Sequence, residues 1–226
     1  MEELVHDVES CMRKVEAHLG EGRGPGGAPS SEKPQEPRQP KQSKAIAPSL
    51  DLPAPVAAFM KCDIRVATIT SCQVPDFSEK LLLLTIDIGG GETRDFASGI
   101  AKYYSPDDLV GKKIMAILNL KPRPMVGGAV VSNAMLFCGS TGEGDEAIVR
   151  VCWPPQDAPA GTRIYPDGYE AALPNPPPTA DPKKNFGRMT DCLTVKDGKV
   201  VLGAVEVRAG TWGSVTVEVA DGAHVR

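Results

Sequence analysis

Between residues 50 and 169 the chain is written in short β-branched and apolar runs closed by turn residues, and only one segment carries a helix start. Ile64-Arg65-Val66-Ala67-Thr68-Ile69-Thr70 is one such run, and residues 81–88 form another, closed by Gly89-Gly90-Gly91. Thr93-Arg94-Asp95-Phe96-Ala97-Ser98 follows that turn as the return strand of a hairpin would. Residues 112–119, 130–138 and 147–152 complete the set. Ser105-Pro106-Asp107-Asp108 supplies the helix signal: a serine cap, proline at the first position and two acids facing the positive end of the dipole. Short strands at this spacing around one small helix predict an all-β fold, a five-stranded Greek-key barrel of OB type over residues 51–169.

Either side of that region the composition changes. Residues 166–182 are proline-rich, and residues 191–219 then alternate again, with a hairpin predicted around Lys196-Asp197-Gly198-Lys199. The segment 170–226 is short for an independent core, so it is expected to be a small β-rich C-terminal extension packed on the barrel. Upstream, residues 20–50 hold five glycines and six prolines among Ser, Gln, Lys and Glu. Such a segment cannot bury enough apolar surface to offset its ordering entropy, which predicts a flexible, disordered linker. Residues 1–19 read as an amphipathic helix, with Leu4, Val8, Cys11, Val15 and His18 at 4-3-4-3 spacing. That stripe either packs on its own chain or docks to another helical protein, and the long linker behind it favours docking.

Composition narrows the chemistry. Glycine (23) and proline (21) are abundant, as a chain of many turns and some linker requires. Aromatic residues make up only 5%, so a nucleic-acid surface here cannot rest on broad base stacking. The six cysteines form no C-x-x-C pair and none of the three histidines neighbours two of them, so neither a zinc site nor another cofactor is expected. No histidine lies between residues 19 and 223, and no P-loop is present, which argues against catalysis. The acidic start Met1-Glu2-Glu3-Leu4 lacks an apolar signal core, and no apolar run reaches the ~18 residues of a membrane span, so a cytoplasmic protein with reduced thiols is expected.

One stretch carries more information than the rest: Asn119-Leu120-Lys121-Pro122-Arg123-Pro124-Met125, then Gly127-Gly128, then Ser132-Asn133-Ala134-Met135. It follows Phe96-Ala97-Ser98-Gly99-Ile100 by about twenty residues. Together these resemble the signature of the tRNA-binding domain family of endothelial monocyte-activating polypeptide II and of multi-synthetase complex auxiliary proteins. Asp63-Ile64-Arg65-Val66 is similar to that family's opening strand, and Trp153-Pro154-Pro155 with Pro159-Ala160-Gly161 to its closing element. Asp181-Pro182-Lys183-Lys184-Asn185-Phe186 resembles the entry to the extra C-terminal domain of one subgroup. The resemblance implies a non-catalytic tRNA-binding cofactor that delivers tRNA to an aminoacyl-tRNA synthetase complex, with a monomeric barrel.

The resemblance also implies a site: Arg94, Ser98, Lys112, Lys113, Asn119, Lys121, Arg123, Ser132 and Met135, with tRNA as partner. Lys121 and Arg123 flank Pro122, whose fixed φ sets their spacing for phosphates; otherwise they are solvated loop charges. Ser98 and Ser132 either donate to RNA or satisfy the sheet, Asn119 either contacts RNA or pins its turn, and Met135 serves as contact or core. Two departures weaken the basic loop, because Pro124 and Val126 stand where the family usually has Lys and Arg. A further change is Val74-Pro75-Asp76-Phe77-Ser78 in place of the family's His-Pro-Asp-Ala-Asp loop. Residues 51–170 carry 11 Lys+Arg against 15 Asp+Glu, a net of −4, so a polyanion must find a local patch. The alternative is a scaffold subunit of the same complex whose barrel has lost most of its tRNA affinity.

Overall fold

The computed structural model describes residues 52–142, 144–170 and 175–226. The expected N-terminal helix, with Leu4, Val8, Cys11 and Val15, and the linker lie outside the described residues.

Strand β1 (Ile64–Gln73) is the spine of the fold. It pairs antiparallel with β2 (Leu82–Asp87) on one side and with β4 (Lys113–Ile117) on the other. The register with β2 slips between Ile69 and Ser71, a bulge that bends β1 and lets one strand serve two walls. Strand β3 (Thr93–Ser98) extends the sheet beyond β2, and β7 (Met135–Leu136) extends it beyond β4, giving the order β3-β2-β1-β4-β7. The edges approach each other where the Asn133 amide donates to the Asp95 carbonyl at 3.0 Å. This is the all-β, nearly closed five-stranded antiparallel barrel read from the strand pattern.

Both faces of β1 and β4 are buried, which explains why these segments read as continuous apolar runs rather than alternating ones. Ala67, Ile69, Ile114 and Ala116 point into the barrel with Leu82, Ile86 and Phe96. Ile64, Val66, Met115 and Ile117 point the other way, into a second core. That second core is filled by Phe59 and Met60 of the helix Ala54–Met60 and by the C-terminal strands.

Those strands are β11 (Leu193–Lys196), β12 (Lys199–Leu202), β13 (Val205–Ala209) and β14 (His224–Val225). With β8 (Cys138–Thr141), β9 (Ile148–Val151) and β10 (Ile164–Pro166) they form a seven-stranded sheet in the order β10-β13-β12-β11-β14-β8-β9. The β11–β12 hairpin turns at Asp197 and Gly198 with φ of 52° and 69°, the two positive values a type I′ turn needs. Because β14 pairs with β8, the last residues return to the barrel (Val225 opposite Gly139).

Two buried polar residues fix the entry to β1. The Asp63 carboxylate accepts from Arg65 Nε (2.8 Å), Arg65 Nη2 (2.9 Å) and Arg163 Nη1 (3.1 Å), joining the start of β1 to the start of β10. Burial of the Arg163 guanidinium pushes its pKa down, and the adjacent Asp63 charge opposes that shift. The second residue is Asn119, at the exit of β4.

Candidate nucleic-acid interface

The segment after β4 cannot continue as a strand, since Pro122 and Pro124 remove two backbone donors. It re-forms as a two-stranded ribbon, β5 (Arg123–Met125) and β6 (Val130–Ser132), in which Arg123 sits opposite Ser132. The turn between them holds Val126 at φ 50°, a conformation β-branched residues rarely adopt, and leaves its side chain 47% exposed.

This ribbon forms one wall of a groove of about 580 Å³. Ser98 at the end of β3, Lys121, Arg123, Ser132 and Met135 all line it. The opposite wall comes from the C-terminal extension through Pro182, Phe186 and Arg226. Phe186 is held there by contact with Phe137, ring centroids 6.1 Å apart. Its segment is anchored by Asp181, whose carboxylate accepts from the Lys183 amide (2.9 Å) and the Lys184 amide (2.7 Å). Those backbone bonds, that to Lys184 first, hold the Asp181 pKa below its usual value. Arg226 is brought in by a two-way backbone pairing with Cys138, at 2.9 and 3.0 Å. Burial pushes the Cys138 thiol in the floor up to about 12, so it stays neutral. The charged side chains lining the groove are Lys121, Arg123 and Arg226, with no Asp or Glu among the described lining residues.

Four expected contacts fall elsewhere. Asn119 is 7% exposed and fully engaged: Oδ1 accepts from the Asp63 amide at 2.8 Å, and Nδ2 donates to the Lys61 and Pro177 carbonyls at 3.0 Å each. Of its two readings the structure selects the turn-pinning one, and the side chain has no donor left for RNA. Lys113 lies at the far end of β4 from Asn119, about 13 Å along the strand from Ile117. Its backbone is clamped by the Gln156 side chain at 2.8 and 3.1 Å, while Lys112 lines a separate cleft with Trp153 and Pro155. Arg94 sits at the opposite end of β3 from Ser98 and pairs with Glu92 at 3.4 Å. These three cations, named in one site with Lys121 and Arg123, do not line the groove.

Ser132 serves both readings, because its hydroxyl donates to the Ala134 carbonyl at 2.9 Å while still lining the groove. Met135 is half-buried and packs against the second core, so it too is both wall and core. Sequence reasoning missed Phe186 and Arg226 as groove residues. The Asp181–Phe186 motif was visible as an entry to an extra domain, but nothing local indicates that it faces Lys121. Among the described residues no group of three His, Cys, Asp or Glu side chains could hold a metal, and no helix is long and apolar enough to cross a membrane.

With this geometry in place, the likenesses to known proteins can be located on it. A family model described as "Putative tRNA binding domain" matches residues 64–163. The methionine–tRNA ligase of Polaromonas sp. is 37% identical over 127 residues, covering 56% of this chain and 18% of that protein. The methionine–tRNA ligase of Bacteroides fragilis is 45% identical over 91 residues, covering 40% of this chain and 13% of that protein. The matches thus span less than a fifth of these relatives' own length. Among solved structures, the C-terminal domain of Plasmodium vivax p43 shares the fold with a TM-score of 0.65 at 24% identity, over 74% of this chain and 98% of that one. The strands from β1 to the start of β10, with the basic side of the groove among them, belong to the tRNA-binding domain family.

Proposed function

We propose that this chain is a non-catalytic, cytoplasmic tRNA-binding auxiliary of an aminoacyl-tRNA synthetase assembly. The observation that carries the proposal is the sign of the groove's side chains: Lys121, Arg123 and Arg226 line it with no Asp or Glu among the described lining residues, on a chain whose formal net charge is −4. An acidic chain whose charged side chains at one concavity are all cationic has a local polyanion site against its own global field. Lys121 and Arg123 meet phosphates, and the Ser98 and Ser132 hydroxyls lie beside them for backbone or 2′-hydroxyl contacts. Neutralising phosphates supplies affinity without reading sequence, as a factor serving a shared tRNA corner needs.

The kinship of about half of this chain to part of a methionine–tRNA ligase supports a place near a synthetase. In this reading the stripe of Leu4, Val8, Cys11 and Val15 docks to a synthetase or scaffold, the linker gives reach, and the barrel raises the local tRNA concentration. The barrel acts as a monomer, since Ile64, Val66, Met115 and Ile117 are already buried against the extension. Binding of total tRNA to the full chain at low salt tests the proposal. Micromolar or tighter binding is expected, and none at low salt would refute it.

A second reading has its own observation. Val126 and Val131, at 47% and 45% exposure, occupy the ribbon where the family usually carries more charge. In a scaffold subunit this ribbon would meet protein. Deleting residues 1–19 would then abolish complex entry, whereas Lys121→Ala with Arg123→Ala would change nothing.

A further inference from the structure

The groove is larger and more apolar than phosphate binding requires. Its cations stand around a floor of Ile100, Ala134 and Leu136, with Met125, Met135 and Phe186 along the sides. A site for phosphate alone would be an open basic surface. A concavity of about 580 Å³ with apolar walls and a few convergent polar groups is instead the form of a pocket for a small organic moiety. We propose that this groove receives one unpaired nucleotide of the bound RNA, its base against the apolar walls and its phosphates at the cationic rim. The inference rests on the tRNA-binding reading and assigns the chemistry of that same site.

Three observations favour this occupant. The charged side chains at the rim are all cationic, which suits a phosphodiester and gives no Asp or Glu partner to the Lys or Arg side chains of a peptide. Phe186 is the only aromatic ring among the described lining residues, so there is a stacking surface for one base and not for a run of bases. Finally, Phe186 and Arg226 come from the C-terminal extension, so the pocket is shared between that extension and the tRNA-binding domain. The extension therefore contributes to the ligand as well as to the fold.

Gly99 offers a place to add bulk at the groove without a backbone clash. It lines the groove, its φ is ordinary, and a Cβ built there meets no atom within 4 Å. The experiment is methyl NMR on the full chain labelled at methionine. Met125 and Met135 report on the groove, while Met60, Met115 and Met189, each no more than 2% exposed, report on the core. Adenosine 5′-monophosphate is the probe, inorganic phosphate and an apolar nonapeptide are the controls, and total tRNA is titrated in parallel.

The expected result is that the nucleotide moves Met125 and Met135 and leaves the three core methyls in place, while phosphate moves neither. Gly99→Leu should keep the core methyls unchanged, abolish the nucleotide shifts and weaken tRNA binding by about five-fold or more, the scale of one lost stacking contact. If wild type binds tRNA but the nucleotide leaves Met125 and Met135 unmoved, the inference is overturned and tRNA binding stands. Equal shifts with phosphate alone reduce the groove to an anion site and overturn it as well. Shifts with the nonapeptide and not the nucleotide make it a peptide groove, with the same consequence. Absence of both tRNA and nucleotide binding removes the inference together with the reading beneath it.

Discussion

Replacing Asn119 by alanine separates a structural role from a ligand contact at the centre of the motif. The substitution removes one acceptor from the Asp63 amide and two donors from the Lys61 and Pro177 carbonyls. Each ordinary hydrogen bond is worth about 0.5–1.5 kcal/mol net, and a buried donor left without a partner costs about 1–3 kcal/mol. Asp63 is buried, whereas Lys61 is exposed and Pro177 half-buried, so water can replace Asn119 at the two carbonyls but not at the amide. The loss is therefore about 3 kcal/mol, dominated by the Asp63 amide. For a folded unit of this size that corresponds to a melting temperature lower by about 6–12 °C. Asn119→Asp keeps an acceptor for the Asp63 amide but turns a carboxylate oxygen on the Lys61 and Pro177 carbonyls and sets a second charge beside Asp63, so it should also destabilise, through repulsion rather than a lost acceptor. Urea unfolding measures the difference at constant m-value, and tRNA affinity is read where each variant is fully folded. A melting temperature unchanged within 2 °C, combined with a tenfold loss of tRNA affinity, would show that Asn119 is a ligand contact and that the burial argument fails.

Two further predictions concern parts of the fold away from the groove. Gly89 at φ 87° lies where a Cβ would stand 2.6 Å from the Ala160 carbonyl oxygen, so Gly89→Ala should cost about 3 kcal/mol by thermal melting. Its neighbour Gly90 has a similar φ of 67° but open space, and Gly90→Ala should cost only about 1 kcal/mol; equal costs would refute the steric assignment. Burial raises the Cys62 and Cys138 thiols from 9.0 to about 12 and Cys152 well above 9.0. Their protons are retained longer in the folded chain, so this contribution is whole below pH 9 and declines as pH rises from 9 towards 12. A thiol reagent at pH 8 should label half-buried Cys72 and Cys192 before unfolding and these three only after it, and rapid native labelling of Cys138 would contradict the assignment.

Strands are legible here because their signals are local. The run at 64–70 appears within β1, and the Asp197-Gly198 turn appears where the β11–β12 hairpin demands two positive φ values. The sharing of one core between extension and barrel is harder to read. It shows only as runs such as Ile114-Met115-Ala116-Ile117, apolar on both faces, which a single-sided barrel would have written as alternation. The site was half legible for the same reason. Lys121, Arg123, Ser132 and Met135 are close in sequence and stay close in space, with Ser98 joining them through the closure of the barrel. Lys113 and Arg94 lie away from the groove because a strand carries its two ends apart, and charge type says nothing about which end lies at the groove. Phe186 and Arg226 arrive by long-range pairing, Arg226 through Cys138, and no local pattern encodes that meeting.

The central claim is that the groove cations hold tRNA phosphates, and salt dependence tests it most directly. Affinity of total tRNA for the full chain should be measured from low to physiological salt, with wild type beside Lys121→Ala/Arg123→Ala. Each phosphate neutralised contributes about 0.7–0.9 to the slope of log affinity against log salt, so the double variant should bind more weakly with a slope shallower by about 1.5. Wild-type binding that the double variant reproduces in both affinity and slope would place tRNA elsewhere and contradict the account.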